Sequence, residues 1–254
     1  MIEIIVLSVV QGITEFIPVS SSLHLLIFGE LFQNSGILNL LIFTSMHLGS
    51  LFGVATFLLA DTKMEIKKVH LKQLFFLILF GTIPSVLIGF FLYDFVSENL
   101  TINNIVISST FFFGVLLFVA DKFAQTTKSM KHLTLFDILF IGFFQCFSLI
   151  PGASRSATTI ISSRFLGIDR KTSIIISTLL SFPVIIGAFT LSLIKTDFGN
   201  LDHIPLKKEI LPSIIFSFVS SYIALKIFFK YSSIKGFGGF AIYRILLAAI
   251  LLFK

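Results

Sequence analysis

The sequence predicts an all-α polytopic membrane protein: six transmembrane helices plus two re-entrant helical hairpins, in two inverted-topology repeats. Three observations carry this. The chain is 56% hydrophobic and only 13% charged over 254 residues, with mean hydropathy +1.01, more apolar surface than a soluble core could hide. Apolar runs of about 20 residues, the length that crosses a hydrocarbon core of ~30 Å, recur along it. Two further apolar stretches are broken by a proline followed by serine, and residues of one break recur in the other.

Residues 2–33 are broken at Pro18-Val19-Ser20. Each half, about 13 residues at 1.5 Å per residue, reaches only about 20 Å and cannot cross. The stretch is therefore a re-entrant hairpin, whose irregular tip is tolerable at membrane depth only when buried in protein or facing water. The runs 37–60, 73–93 and 105–121 are spans, the last one short. Residues 134–166 repeat the hairpin pattern with a break at Pro151-Gly152-Ala153, and 174–195, 210–230 and 236–253 complete the six spans, the last again short. The single membrane domain 1–254 thus divides into repeat 1 (1–121) and repeat 2 (134–254). Gln11, Ser20, Ser22, Gly53 and Thr56 recur 134 positions later as Gln145, Ser154, Ser156, Gly187 and Thr190, and Pro18 recurs as Pro151 with a one-residue slip. Three spans per repeat is an odd number, so the second copy is inverted and the two hairpin tips can meet at mid-depth, a recurring way to build a site in a bilayer.

The net charge of +6 is not a nucleic-acid footprint, because the basic residues follow the loops instead of forming one patch. Loops 61–72, 122–133, 164–173 and 226–235 hold Lys63, Lys67, Lys68, Lys72, Lys122, Lys128, Lys131, Arg164, Arg170, Lys171, Lys226, Lys230 and Lys235, thirteen of the nineteen Lys and Arg. That side is predicted to be cytoplasmic, which puts both termini outside. The opposite side has Lys195, Lys207, Lys208 and Lys254. The sequence begins apolar, with no basic n-region or small-residue cleavage site, and reads as a mature segment. The single cysteine, Cys146, excludes an internal disulfide and reads as a small buried side chain.

Chemistry concentrates at the two breaks. In QGITEFIPVSSSLHL, Pro18 ends one half-helix, and Ser20, Ser21 and Ser22 fit the cap and first turn of the next. In FQCFSLIPGASRSATTI, Ser154 and Ser156 take the same place with Arg155 between them and Thr159 a turn on. Two helix N-termini meeting at one point make an anion site suited to phosphate, and Arg155 adds a planar fork for its oxygens. Glu15 would repel phosphate unless a divalent cation, Mg or Ca, bridges the two. Gln11, one turn earlier on the same face, offers that cation an amide oxygen. His24 is three residues beyond Ser21 and can share its face as general acid or base. His47, inside the first full span, reads as a satisfied core histidine, and Arg244 as pairing with backbone at a helix end. His70, His132 and His203 read as solvated loop residues. No P-loop, CxxC pair or HExxH motif is present.

At these residues the chain resembles the undecaprenyl-diphosphatase family, also called the bacitracin-resistance proteins. QGITEFIPVSSSLH resembles the family's Glu/Gln-x-x-x-Glu motif followed by PVSS and a histidine. FQCFSLIPGASRS resembles its PGxSRS motif, and FAIYR near the C-terminus is also family-like. The resemblance runs nearly end to end. Gln11 stands where many members have Glu, Leu23 replaces a usual Gly before the histidine, and Ala157 replaces the Gly after SRS. The resemblance implies metal-side ligands at Gln11 and Glu15, Ser20, Ser21 and His24 at the reacting phosphate, and Ser154, Arg155, Ser156 and Thr159 as its cradle. It implies hydrolysis of a C55 prenyl diphosphate in the bacterial plasma membrane, at a site opening to the outer face. Ser21 is the favoured nucleophile with His24 as base, attack by His24 or by metal-bound water staying open. A lipid-phosphate flippase or transporter is the rival reading. Bilayer lipids surround the protein, and a homodimer is one assembly left open.

Overall fold

Long apolar runs form helices in a bilayer because a helix satisfies every backbone amide within its own segment. The computed structural model describes residues 1–31, 40–62, 66, 71–92, 102, 104–195 and 209–253. Among these are ten α-helices and no β-structure beyond one isolated bridge. They are α1 (Ile2–Thr14), α2 (Ser21–Leu31), α3 (Leu40–Ala60), α4 (Leu71–Phe91), α5 (Asn104–Phe123), α6 (Leu135–Gln145), α7 (Arg155–Phe165), α8 (Arg170–Lys195), α9 (Ile210–Lys235) and α10 (Gly238–Leu252). Five of them, α3, α4, α5, α8 and α9, contain segments long and apolar enough to cross a membrane. The chain is an all-helical polytopic membrane protein.

Two boundaries differ from the sequence expectation. The basic segment 226–235 is not a loop: α9 continues to Lys235 and stops at Gly236, whose φ of +81° is the left-handed geometry that ends helices. The sixth apolar run consequently forms only the 15-residue α10, about 22 Å long. At its other end, α8 starts at Arg170 instead of residue 174, because Asp169 caps it by accepting from Thr172 N at 2.9 Å and Thr172 Oγ1 at 2.7 Å.

Pairs α1–α2 and α6–α7 pack as hairpins, with Ser20 (φ 74°) and Ser154 (φ 72°) as the described non-glycine residues at positive φ. Helices α1 and α3 lie against α9, and α4 lies against α6. The approach is close enough to demand glycine: a Cβ on Gly49 would sit 2.3 Å from Ile214 O, and one on Gly53 would sit 1.9 Å from Ser221 Oγ. Small residues at helix contacts compensate for the absence of a hydrophobic drive between helices in lipid. Ser217 adds an interhelical hydrogen bond to Met46 O at 2.6 Å. Phe75, Leu87 and Phe90 of α4 and Ile227 of α9 turn outward, as lipid-facing side chains do.

Several residues of the basic segments pair with acidic ones. Lys226 lies 3.4 Å from Asp61 and Lys128 donates to Asp137 at 2.6 Å. Arg170 donates twice to Asp121, which also accepts from Phe237 N at 2.7 Å. Lys63, Lys67, Lys68, Lys207, Lys208, Lys254, His70 and His203 lie outside the described residues.

Candidate active site

Helix α1 stops at Thr14, so Glu15 stands at its C-terminal end, buried, one turn beyond Gln11. Its carboxylate is the hub of the site. Oε2 accepts from Gln11 Nε2 and from Ser21 Oγ, each at 2.7 Å. Oε1 accepts from Arg155 Nη2 at 2.9 Å, across from the second hairpin. A buried carboxylate is costly unless paired and hydrogen-bonded, and here it is both. His47 of α3 completes the ring, with Nδ1 2.7 Å from Gln11 Nε2 and 3.4 Å from Glu15 Oε2. His47 is thus in the site and is not the core histidine that its position within a span suggested. The signal that could have found it is the cost of any ionisable side chain at membrane depth.

The serines fall into two matching pairs. Ser20 Oγ lies 3.3 Å from Ser22 Oγ, and Ser154 Oγ lies 3.1 Å from Ser156 Oγ. Ser154 also caps α7 by accepting from Ala157 N at 3.4 Å. Ser156 donates to Ile17 O at 3.0 Å, tying the second hairpin to the tip of the first. Thr159 is fully buried, and its hydroxyl is spent on Arg155 O and Ser177 Oγ, each at 2.9 Å. It therefore supports Arg155 from behind instead of facing a substrate.

Between the hairpin tips, α3 and α8 lies a cavity of about 340 Å³. Its lining combines Glu15, Ser20, Ser21, Ser22, His47, Ser154 and Arg155 with the apolar Leu149, Ile150, Val184, Ile185, Ala188 and Phe189. Gln11, His24, Ser156 and Thr159 are behind this wall. The lining suits an anionic head group on a hydrocarbon tail.

One expected pairing is not what the structure shows. His24 does not meet Ser21: its Nδ1 lies 2.7 Å from Ser20 O and its Nε2 lies 2.7 Å from Tyr243 OH. Ser21 turns to Glu15 instead. Helical spacing put Ser21 and His24 within reach, but the contact with α10 sets the imidazole's direction. Tyr243, in FAIYR beside Arg244, is a residue of the site that local sequence does not mark. Arg244 pairs with backbone as expected, and it does so at both tips: its Nη2 donates to Gly152 O (2.9 Å) and Ala153 O (3.0 Å), its Nη1 to Pro18 O (3.3 Å).

Among the described residues no group of three or more His, Cys, Asp and Glu could hold a metal. Glu15 is one hard oxygen ligand, and Gln11 Oε1 is buried without a hydrogen-bond partner. The Gln11 amide turns its Nε2 to that carboxylate; an amide oxygen left without a partner one helical turn from a carboxylate has the donor chemistry of a hard divalent cation site.

A family profile described as bacitracin resistance protein BacA matches residues 4–250. The chain is similar to the undecaprenyl-diphosphatase of Pelagibacter ubique (strain HTCC1062), 39% identical over 98% of this chain and 96% of that one. It is also similar to the undecaprenyl-diphosphatases of Alteromonas mediterranea (35%, over 98% and 97%) and Hahella chejuensis (36%, over 99% and 97%). The chain belongs to the BacA bacitracin-resistance family.

Proposed function

We propose that this protein is a membrane phosphatase that hydrolyses undecaprenyl diphosphate to undecaprenyl phosphate and inorganic phosphate. That reaction recycles the lipid carrier of cell-wall synthesis and confers bacitracin resistance. The observation that carries the chemistry is Ser21 Oγ at 2.7 Å from Glu15 Oε2, with Arg155 on the other carboxylate oxygen, in a mostly apolar cavity.

Glu15 accepts the Ser21 proton as Oγ attacks the terminal phosphorus. The bond from that phosphorus to the bridging oxygen breaks, and prenyl monophosphate leaves with the bridging oxygen. Water then cleaves the phosphoserine, returning the proton to Ser21 and releasing inorganic phosphate. Arg155 trades its contact with Glu15 for the phosphate oxygens and holds the charge that builds on them. The N-termini of α2 and α7 add backbone N–H donors at the same point. Gln11 and Glu15 would hold a divalent cation, which supplies further charge neutralisation on the diphosphate. A flippase needs to bind phosphate but has no use for a hydroxyl hydrogen-bonded to a carboxylate, so the enzyme is favoured.

The protein is assigned to the bacterial plasma membrane, with termini and site opening outside. Single cysteines at the exposed Gln125 and at Ser129, on a Cys146→Ser background, should react with an impermeant thiol reagent only after lysis. Those at Asn34 and Asn99 should react in intact cells, and the reverse pattern overturns the orientation. The activity is tested by phosphate release from C55 prenyl diphosphate by purified protein, wild type against Ser21→Ala. Equal rates in the two would remove Ser21 as nucleophile.

A further inference from the structure

We infer that His24 is a positioning residue: Tyr243 aims its ring so that the imidazole fixes the Ser20 carbonyl and, through it, the placement of the Ser21 hydroxyl. His24 neither attacks phosphorus nor takes the nucleophile's proton. This rests on the Ser21–Glu15 reading above and deepens it.

Nδ1 of His24 lies 2.7 Å from Ser20 O. A carbonyl only accepts, so Nδ1 carries the hydrogen. In the neutral ring Nε2 is then an acceptor, and the Tyr243 hydroxyl, 2.7 Å away, donates to it. The two rings stack at 5.7 Å between centroids with an interplanar angle of 18°. Both nitrogens are thereby engaged away from Ser21, whose hydroxyl goes to Glu15. His24 is 7% exposed and does not line the cavity that Ser20, Ser21 and Ser22 face.

What needs fixing is the break itself. Ser20 has φ 74°, a conformation that a non-glycine residue holds only when its surroundings enforce it. The second hairpin meets the same demand at Ser154, φ 72°, without an imidazole. The counterpart of His24 there, 134 positions on, is Thr158, which donates to Arg155 O at 2.9 Å. The counterparts of Tyr243 and Arg244 are Ser109 and Thr110, whose hydroxyls bond Pro151 O and Gly152 O. The second break is thus held from a neighbouring helix by two adjacent hydroxyls, while the Thr158 hydroxyl stays within α7. Only in the first hairpin does a side chain of the following helix, His24, reach the carbonyl of the positive-φ serine among the described contacts.

Two measurements test this. In protein labelled with ¹⁵N-histidine, with the His24 signals assigned by their loss in His24→Gln, the ring should be neutral with its hydrogen on Nδ1. The Nε2 signal should shift in Tyr243→Phe. Hydrogen on Nε2, or no response to Tyr243→Phe, overturns the inference, and this readout needs no turnover. Phosphate release is the second. Glutamine can donate to Ser20 O and accept from Tyr243, so His24→Gln should keep about a tenth of wild-type kcat, whereas His24→Ala should lose ~10²-fold, the scale of a misplaced reacting group. Tyr243→Phe should lower kcat about tenfold with KM little changed, because only alignment is lost. A folded His24→Gln as inactive as His24→Ala, or phosphate trapped on His24, overturns the inference. A wild-type protein that releases no phosphate counts against the proposed activity, and the ring signals then decide the role of His24.

Discussion

The hairpins α1–α2 and α6–α7 are alike at their breaks and differ in the side chains they bring to the site. Both break at a serine with φ near 70°, both pair that serine's hydroxyl with the serine two residues on, and both carry a buried glutamine before the break. Position by position they then part. Ser21 of the first corresponds to Arg155 of the second, and Glu15 corresponds to Leu149. In the proposed mechanism the first hairpin thus holds the nucleophile and the carboxylate that receives its proton, and the second supplies the guanidinium for the phosphate oxygens. Two hairpins of like backbone can carry different side chains without disturbing the serine breaks they share.

The comparison is broken most severely by removing the chemistry of the first hairpin. Ser21→Ala should lose about 10⁴-fold or more in kcat, as losses of a nucleophile do. Glu15→Gln should be comparably damaging, and the double mutant little worse than either, because the two act as a unit. Multiplicative losses in that series of rates would separate their roles. A smaller effect is expected from the second hairpin. Arg155→Lys keeps the charge but loses the fork, and should cost ~10²–10³ in kcat, roughly 3–4 kcal/mol of transition-state contact. Near-normal turnover in Arg155→Lys would reduce Arg155 to a partner of Glu15.

How the two hairpins are held together was less legible in the sequence than what they carry. The proline breaks, the serine runs and the i, i+4 spacing of Gln11 and Glu15 are local, so they could be read directly. His47 belongs to a different helix and has no local link to Glu15; only the packing of α3 against α1 joins them. The direction of the His24 ring is likewise tertiary: the helix sets which residues share its face, but Tyr243, more than two hundred positions away, sets where the imidazole points. The end of α9 departs from the sequence expectation for another reason. Lys226, Lys230 and Lys235 look like loop residues by charge, yet long basic side chains snorkel and favour a helix C-terminus.

Arg244 is the sharpest test of the shared support, because it reaches the tip carbonyls of both hairpins. Arg244→Met should destabilise the protein by about 3 kcal/mol, since charge-assisted bonds are lost and buried carbonyls are left bare. Thr110→Val touches only the second hairpin and should cost about 1 kcal/mol. Thermal unfolding in detergent measures both. Equal shifts would mean that the hairpins are not held through one residue.

The smallest expected effect separates the two glutamines. Gln11 and Gln145 are both fully buried, and each has an amide oxygen without a partner. Gln145 Nε2 donates to Ser85 Oγ at 2.7 Å and Gly81 O at 3.4 Å, far from any carboxylate partner of its own, since Leu149 stands where Glu15 would. Gln11 Nε2 instead donates to Glu15. If Gln11 Oε1 is a cation ligand, Gln11→Leu should raise the divalent-cation concentration needed for half-maximal rate by about tenfold, the usual cost of losing one supporting group at a metal site. Gln11→Glu adds a carboxylate and should lower that concentration. Gln145→Leu should leave it unchanged while lowering the unfolding temperature, because it leaves the Ser85 hydroxyl without that partner. A cation titration of the three variants decides the matter. An unaltered requirement in Gln11→Leu would make the two glutamines equivalent structural residues, and a wild-type rate indifferent to chelator would remove the cation from the site altogether.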